Sequence, residues 1–106
     1  MPKVKISEIK RKVGENFEVE GKITRKEKTQ RSMWREHALC TLQDETDYIL
    51  LNLWKDQINQ VNVGDSVRLK SAFTKKYKGS YQLSTWEKEI QVLKRTRSEE
   101  NKSQTK

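Results

Sequence analysis

The sequence predicts an all-β protein, a small closed barrel of five short strands with one short helical turn between the third and fourth. Three observations lead to it. Apolar and polar residues alternate in five short stretches, turn-forming residues separate those stretches, and the apolar content suits only a small core. Of the 106 residues, 32% are hydrophobic and 36% charged. Even with the 4 glycines added, the apolar share stays below the roughly 45–50% of an average soluble domain. A chain of this length holds one domain, and a two-sheet sandwich would need about seven strands.

Each element has its own signal. Ile6, Ile9 and Val13 surround a candidate cap at Ser7 and predict a short lead-in turn that plugs one end of the sheet. Phe17 to Ile23 alternates as the first strand, with Gly21 at an inward position where a strand bends sharply. A basic, turn-rich segment from Arg25 to Arg35 follows. Ala38, Cys40 and Leu42 then alternate with Leu39, Thr41 and Gln43 as the second strand, up to the acidic hairpin turn Asp44 to Asp47. In the third strand, Tyr48 to Trp54, the aliphatic residues Ile49, Leu51 and Leu53 share one face, and Tyr48, Leu50, Asn52 and Trp54 the other. Asp56 is placed to cap a single helical turn through Gln57 to Val61, and Val63-Gly64-Asp65 returns the chain to a strand. Ser66 to Tyr77 and Ser80 to Thr85 form the last hairpin, reversed at Lys78-Gly79. No internal repeat is visible.

Five strands with one helical turn, a long first connection and a basic last hairpin describe an OB-fold, a five-stranded Greek-key barrel. That fold binds through its second and third strands and through the loops joining strands one to two and four to five. Those two loops carry this chain's basic clusters: Arg25, Lys26, Lys28, Arg31 and Arg35 in the first, Lys75, Lys76 and Lys78 in the second. The formal net charge is +8. Residues 94–106 hold no apolar residue and carry +3 of it, which predicts a disordered, polar, basic tail. The remaining +5 belongs to residues 1–93, the predicted nucleic-acid-binding domain. A polyanion is the expected partner, solubility alone being the plainer explanation of the charge.

Several classes are disfavoured. No apolar run approaches the roughly 18–20 residues of a membrane span, and Met1-Pro2-Lys3-Val4-Lys5 leads into no signal-peptide core. The expected location is cytoplasmic or nucleoid-associated, nuclear in a eukaryote. The single cysteine, Cys40, forms no internal disulfide and reads as a small buried hydrophobe, and the single histidine, His37, reads as a surface or loop residue. No nucleophile with an orienting base, metal-ligand spacing or Gly-rich phosphate loop is present. Asp44, Glu45 and Asp47 are explained by a hairpin turn. Neither enzymatic activity nor a cofactor or metal is expected.

Trp54 lies out of phase with the core face of its strand and therefore points outward, either packing under a loop or offering a face for a nucleobase. Phe73 and Tyr77 interleave with Lys75, Lys76 and Lys78, as suits single-stranded nucleic acid. Val67 and Leu69 set an inward phase that strict alternation would extend to Phe73 and Tyr77. The stacking reading therefore requires a β-bulge between Leu69 and Phe73, and without one the two are core aromatics. Trp34 either clamps a strand or anchors the first basic loop. Tyr81 and Trp86 read as structural, Trp86 closing the end of the barrel.

Leu42 to Thr46, Ile49 to Trp54, Val63 to Leu69, then Phe73, Tyr77-Lys78-Gly79 and Gln82-Leu83-Ser84 together resemble the OB domains of three related groups. These are the archaeal single-stranded DNA-binding proteins, the metazoan sensor of single-stranded DNA, and replication protein A. The likeness runs from about Val4 to Leu93. It implies that Trp54, Phe73 and Tyr77 fall on base-stacking positions, and hence that the bulge exists. Three departures stand out: Asp47 where the family usually has Gly, Trp86 near a common Gly, and a short tail where many relatives carry a long partner-binding extension. The expected function is sequence-tolerant binding of single-stranded DNA by a monomer or weak oligomer, with replication or repair proteins as further partners. The alternatives are an RNA-binding OB module and an OB subunit of a replication protein A-like assembly.

Overall fold

The computed structural model describes residues 3–31, 33, 35–86 and 90–94. Its elements in chain order are β1 (Lys3–Val4), α1 (Ile6–Ile9), β2 (Gly14–Lys26), β3 (Gln30–Arg31), β4 (Glu36–Gln43), β5 (Tyr48–Trp54), α2 (Gln57–Gln60), β6 (Ser66–Tyr77), β7 (Ser80–Thr85) and β8 (Ile90–Lys94). Strands β2, β4, β5, β7 and β6 pair in that order, and β6 pairs again with β2, which closes a five-stranded barrel. The short β1, β3 and β8 add to β2, β4 and β6 at its margins.

Alternation sorts the side chains as expected. Ala38, Cys40 and Leu42 of β4 and Ile49, Leu51 and Leu53 of β5 are buried, while Asn52 and Trp54 lie half-buried on the outer face. Burial pushes the Cys40 thiol up to about 12, so it packs as an inert hydrophobe. At Gly21 a side chain would bring its Cβ to 2.8 Å from the Gln43 carbonyl oxygen, so only glycine allows β2 to curve this closely against β4.

The two ends of the barrel are closed differently. Ile6 and Ile9 of α1 fill one end and Ile58 of α2, with Val61, the other. Ser7 does not cap α1 with its side chain. The hairpin turn does so from a distance, Asp44 Oδ2 accepting from the Ile6 N–H (2.9 Å) and Thr46 Oγ1 from the Ser7 N–H (3.1 Å). Val13 is 67% exposed and takes no part in the plug. Asp56 makes no side-chain cap on α2.

The bulge that Phe73 needs is present. β2 advances two residues from Phe17 to Val19 while β6 goes back three, from Ala72 to Leu69, so Lys70 and Ser71 hold one residue too many. The buried set therefore shifts from Val67 and Leu69 to Ala72 and Thr74, and Phe73 turns outward. A matching irregularity on β2 between Gly14 and Phe17, with Asn16 at φ 63°, brings the two strands back into step.

Other differences from the sequence reading are local. Much of the expected first loop is strand: β2 runs on through Lys26, and Gln30 and Arg31 pair with His37 and Glu36. The chain past β7 forms the unpredicted β8, whose Ile90 and Val92 pack on the core, and which includes Lys94. Residues 95–106 of the expected tail, and Trp34, lie outside the described residues.

Candidate functional site

The outer faces of β4, β5, β7 and β6 form one groove of about 500 Å³. Strand register decides what meets there. Because β4 pairs with β5 in the register His37↔Trp54 and Leu39↔Asn52, those four side chains share a face. β6 and β7 pair as Phe73↔Ser84 and Lys75↔Gln82, which completes the opposite side. Trp54, Phe73 and Tyr77, far apart in sequence, line this one hollow together with Lys75 and Lys76. Tyr77, 58% exposed, stands at the hairpin end. Lys78 and Gly79 both have positive φ, 50° and 86°, as a two-residue hairpin turn requires.

The floor is polar and internally ordered. Asn52 Nδ2 donates to Gln82 Oε1 (3.1 Å) and to the Leu83 carbonyl (3.3 Å). Its Oδ1 therefore accepts from His37 Nε2 (2.6 Å), which places a hydrogen on that nitrogen. The His37 ring also lies on Trp54, with centroids 4.2 Å apart. His37 is thus not a bystander of the surface, and the cue for its role is its register partner, a long-range property.

Beyond Trp54 and Phe73 the groove continues into a second hollow of about 310 Å³, bounded by Arg35, Lys55, Ser84 and Trp86. Trp86 does not close the barrel. It is 59% exposed and its ring rests against Phe73, centroids 5.1 Å apart. Gln57, 1% exposed, ties this region together. Its Oε1 accepts from the Trp54 N–H (3.0 Å), and its Nε2 donates to the carbonyls of Thr85 (3.1 Å) and Trp86 (3.0 Å).

The expected phosphate-binding cations divide. Arg35 lies 5.3 Å over the Trp54 ring, Lys75 5.9 Å from the Phe73 centroid and Lys78 5.5 Å from that of Tyr77. Lys76 approaches Tyr81 at 5.8 Å. Arg31 pairs with Glu36 (3.0 Å) and Arg25 with Glu27 (3.6 Å), both at exposed positions where such pairs hold weakly. Lys28 borders a shallow depression beside His37 and Leu39. Lys26 turns away from the groove, and its ammonium donates to the carbonyls of Ile58 (2.5 Å) and Val61 (2.9 Å), satisfying the C-terminal end of α2.

Charge is segregated. Ion pairs join Lys3, Lys5, Lys10 and Arg68 to Glu20, Glu45, Asp47 and Glu18 around β1, α1 and β2. The side-chain hydrogen bond from Arg68 holds the Glu20 carboxyl low, and that from Lys10 does the same for Asp47. Among the described residues, no carboxylate lines either hollow, and Arg35, Lys55, Lys75, Lys76 and Lys78 belong to no ion pair. A concave surface with aromatic walls and a polar floor, whose charged lining residues are all cations among those described, suits a flat, anionic ligand.

Residues 1–101 match the family model described as single-stranded DNA binding protein Ssb-like, OB fold. No curated protein sequence matches the chain. Among solved structures, the OB domain of Ta0387 from Thermoplasma acidophilum superposes with a TM-score of 0.65 at 22% identity, over 87% of this chain and 85% of that one. A hypothetical protein from Arabidopsis thaliana gives 0.66 at 20% identity, over 88% and 72%. At such identities the structural likeness establishes the fold, a closed OB barrel.

Proposed function

The chain belongs to the Ssb-like family of single-stranded DNA binding proteins with an OB fold, and from that membership we propose that its groove binds single-stranded DNA with little regard to sequence. Trp54, Phe73 and Tyr77 stack bases. Arg35, Lys75, Lys76 and Lys78 meet phosphates along the rim, joined by Arg25, Lys28 and Arg31 near the β2–β4 connection. One observation carries the reading: three aromatics that the sequence scatters over 24 positions line a single groove that, among the described residues, holds no carboxylate and has cations outside any ion pair beside it. Every base has a stackable face and every nucleotide a charge, so such a groove holds any sequence whose bases are unpaired. Duplex bases, stacked on one another, offer it nothing. A strand held this way is shielded, which suits replication or repair. The protein would act as a monomer or weak oligomer wherever single strands arise, in the cytoplasm or on the nucleoid, or in the nucleus of a eukaryote.

Tryptophan fluorescence titrated with oligo-dT, oligo-rU and duplex DNA tests the reading. Binding to oligo-dT, weak for duplex, is expected, with Trp54→Ala losing about 1–3 kcal/mol at every salt concentration. Tighter binding of oligo-rU would transfer the assignment to RNA. Failure to bind any nucleic acid would refute it and favour a protein-assembly subunit.

A further inference from the structure

The second hollow has the features of a built slot. Trp86 forms one wall: it follows β7 directly, is 59% exposed, and is fixed by its Phe73 contact and by the hydrogen bond to its carbonyl from Gln57. Trp54 forms the other, its N–H donating to the same Gln57 side chain. One buried amide thereby sets the distance between the backbones of both tryptophans. Ser84, which also lines the hollow, is small and leaves space in it. At about 310 Å³ the hollow stands at the lower end of the range for small-molecule sites, about 300–1,000 Å³. Arg35 and Lys55 stand on its lip, and among the described residues no carboxylate lines it. The charge complement is a phosphate beside the inserted group.

We propose that Trp54 and Trp86 hold one base of the bound strand in this slot, so that the stacking track runs from Tyr77 at the hairpin, past Phe73, to the α2 end of the barrel. The proposal rests on the single-strand reading above. It gives a binding role to Trp86, a residue that reads as structural from the sequence alone.

The chain has 3 tryptophans, so the double variant Trp34→Phe/Trp54→Phe leaves Trp86 as the only reporter. Titration of that variant with oligo-dT at low salt should quench Trp86 emission, with the midpoint given independently by the anisotropy of a labelled oligomer. In parallel, Trp86→Ala and Trp86→Phe are compared with wild type on labelled oligo-dT across lengths of about 4–16 nucleotides. Trp86→Ala should lose about 5- to 150-fold in affinity on the longer oligomers, Trp86→Phe should retain most of it, and the loss should shrink on oligomers too short to reach the slot. Unchanged Trp86 emission at saturation, or a Trp86→Ala variant that binds long oligomers like wild type, would overturn the slot and leave the single-strand reading standing. Wild type that fails to bind labelled oligo-dT would overturn both.

Discussion

Gln57→Met replaces a buried amide with an apolar side chain of similar length, which isolates the hydrogen bonds from the volume they occupy. In the native protein the amide satisfies three backbone groups, the Trp54 N–H and the carbonyls of Thr85 and Trp86. Each buried group left without a partner costs about 1–3 kcal/mol. Trp86 is exposed, so the expected cost is set by the other two groups, about 2–6 kcal/mol in total. For a domain of this size, that lowers the melting temperature by roughly 10 °C or more. Urea denaturation followed by far-ultraviolet circular dichroism should show a lower midpoint with an unchanged slope, since the surface exposed on unfolding is the same. Binding of oligo-dT should weaken as well, because both tryptophans lose a common anchor. A cost below about 0.5 kcal/mol, within the usual range of a neutral surface change, would refute the idea that this amide sustains the end of the barrel.

Two lysines a chemist would group together should behave oppositely. Lys26→Met should lose about 1–3 kcal/mol of stability, by abandoning two carbonyls at the end of α2, and leave the salt dependence of DNA binding unaltered. Lys75→Ala should leave the denaturation midpoint in place and reduce the slope of log affinity against log salt by about 0.7. Stability should also fall in acid. Burial works to raise the Asp44 carboxyl, but hydrogen bonds from Thr46, Ile6 and Asp47 outweigh it and hold it below its ordinary value, as the Lys10 ammonium does for Asp47. A carboxyl depressed in the folded state contributes stability that is present above the unfolded value near 3.9 and vanishes as pH falls through the folded one. The midpoint should therefore hold down to about pH 5 and drop below about pH 4, and Asp44→Asn should flatten that drop. An equally steep decline in Asp44→Asn would remove this turn as its origin.

Period-two alternation carries information about each strand taken alone, and it is enough to separate Ile49, Leu51 and Leu53 from Trp54 and to locate the hairpins at Asp44–Asp47 and Lys78-Gly79. It even exposes its own exception, since the outward reading of Phe73 requires an extra residue that β6 holds at Lys70 and Ser71. Trp86 and His37 resist the same reasoning. Alternation says nothing about a residue beyond the end of a strand, and the partner of His37 is Trp54, 17 residues away in sequence and adjacent only through the register of β4 on β5. Lys26 sits within a basic cluster and so reads as a phosphate ligand until barrel closure brings the end of α2 above it. Gln57 looks like any polar helix residue until three strand-end backbone groups converge on it. Which face a side chain occupies is a local consequence of backbone pleat, legible from one strand. Which groups it meets there depends on register and closure between segments tens of residues apart, and those follow from packing the barrel as a whole.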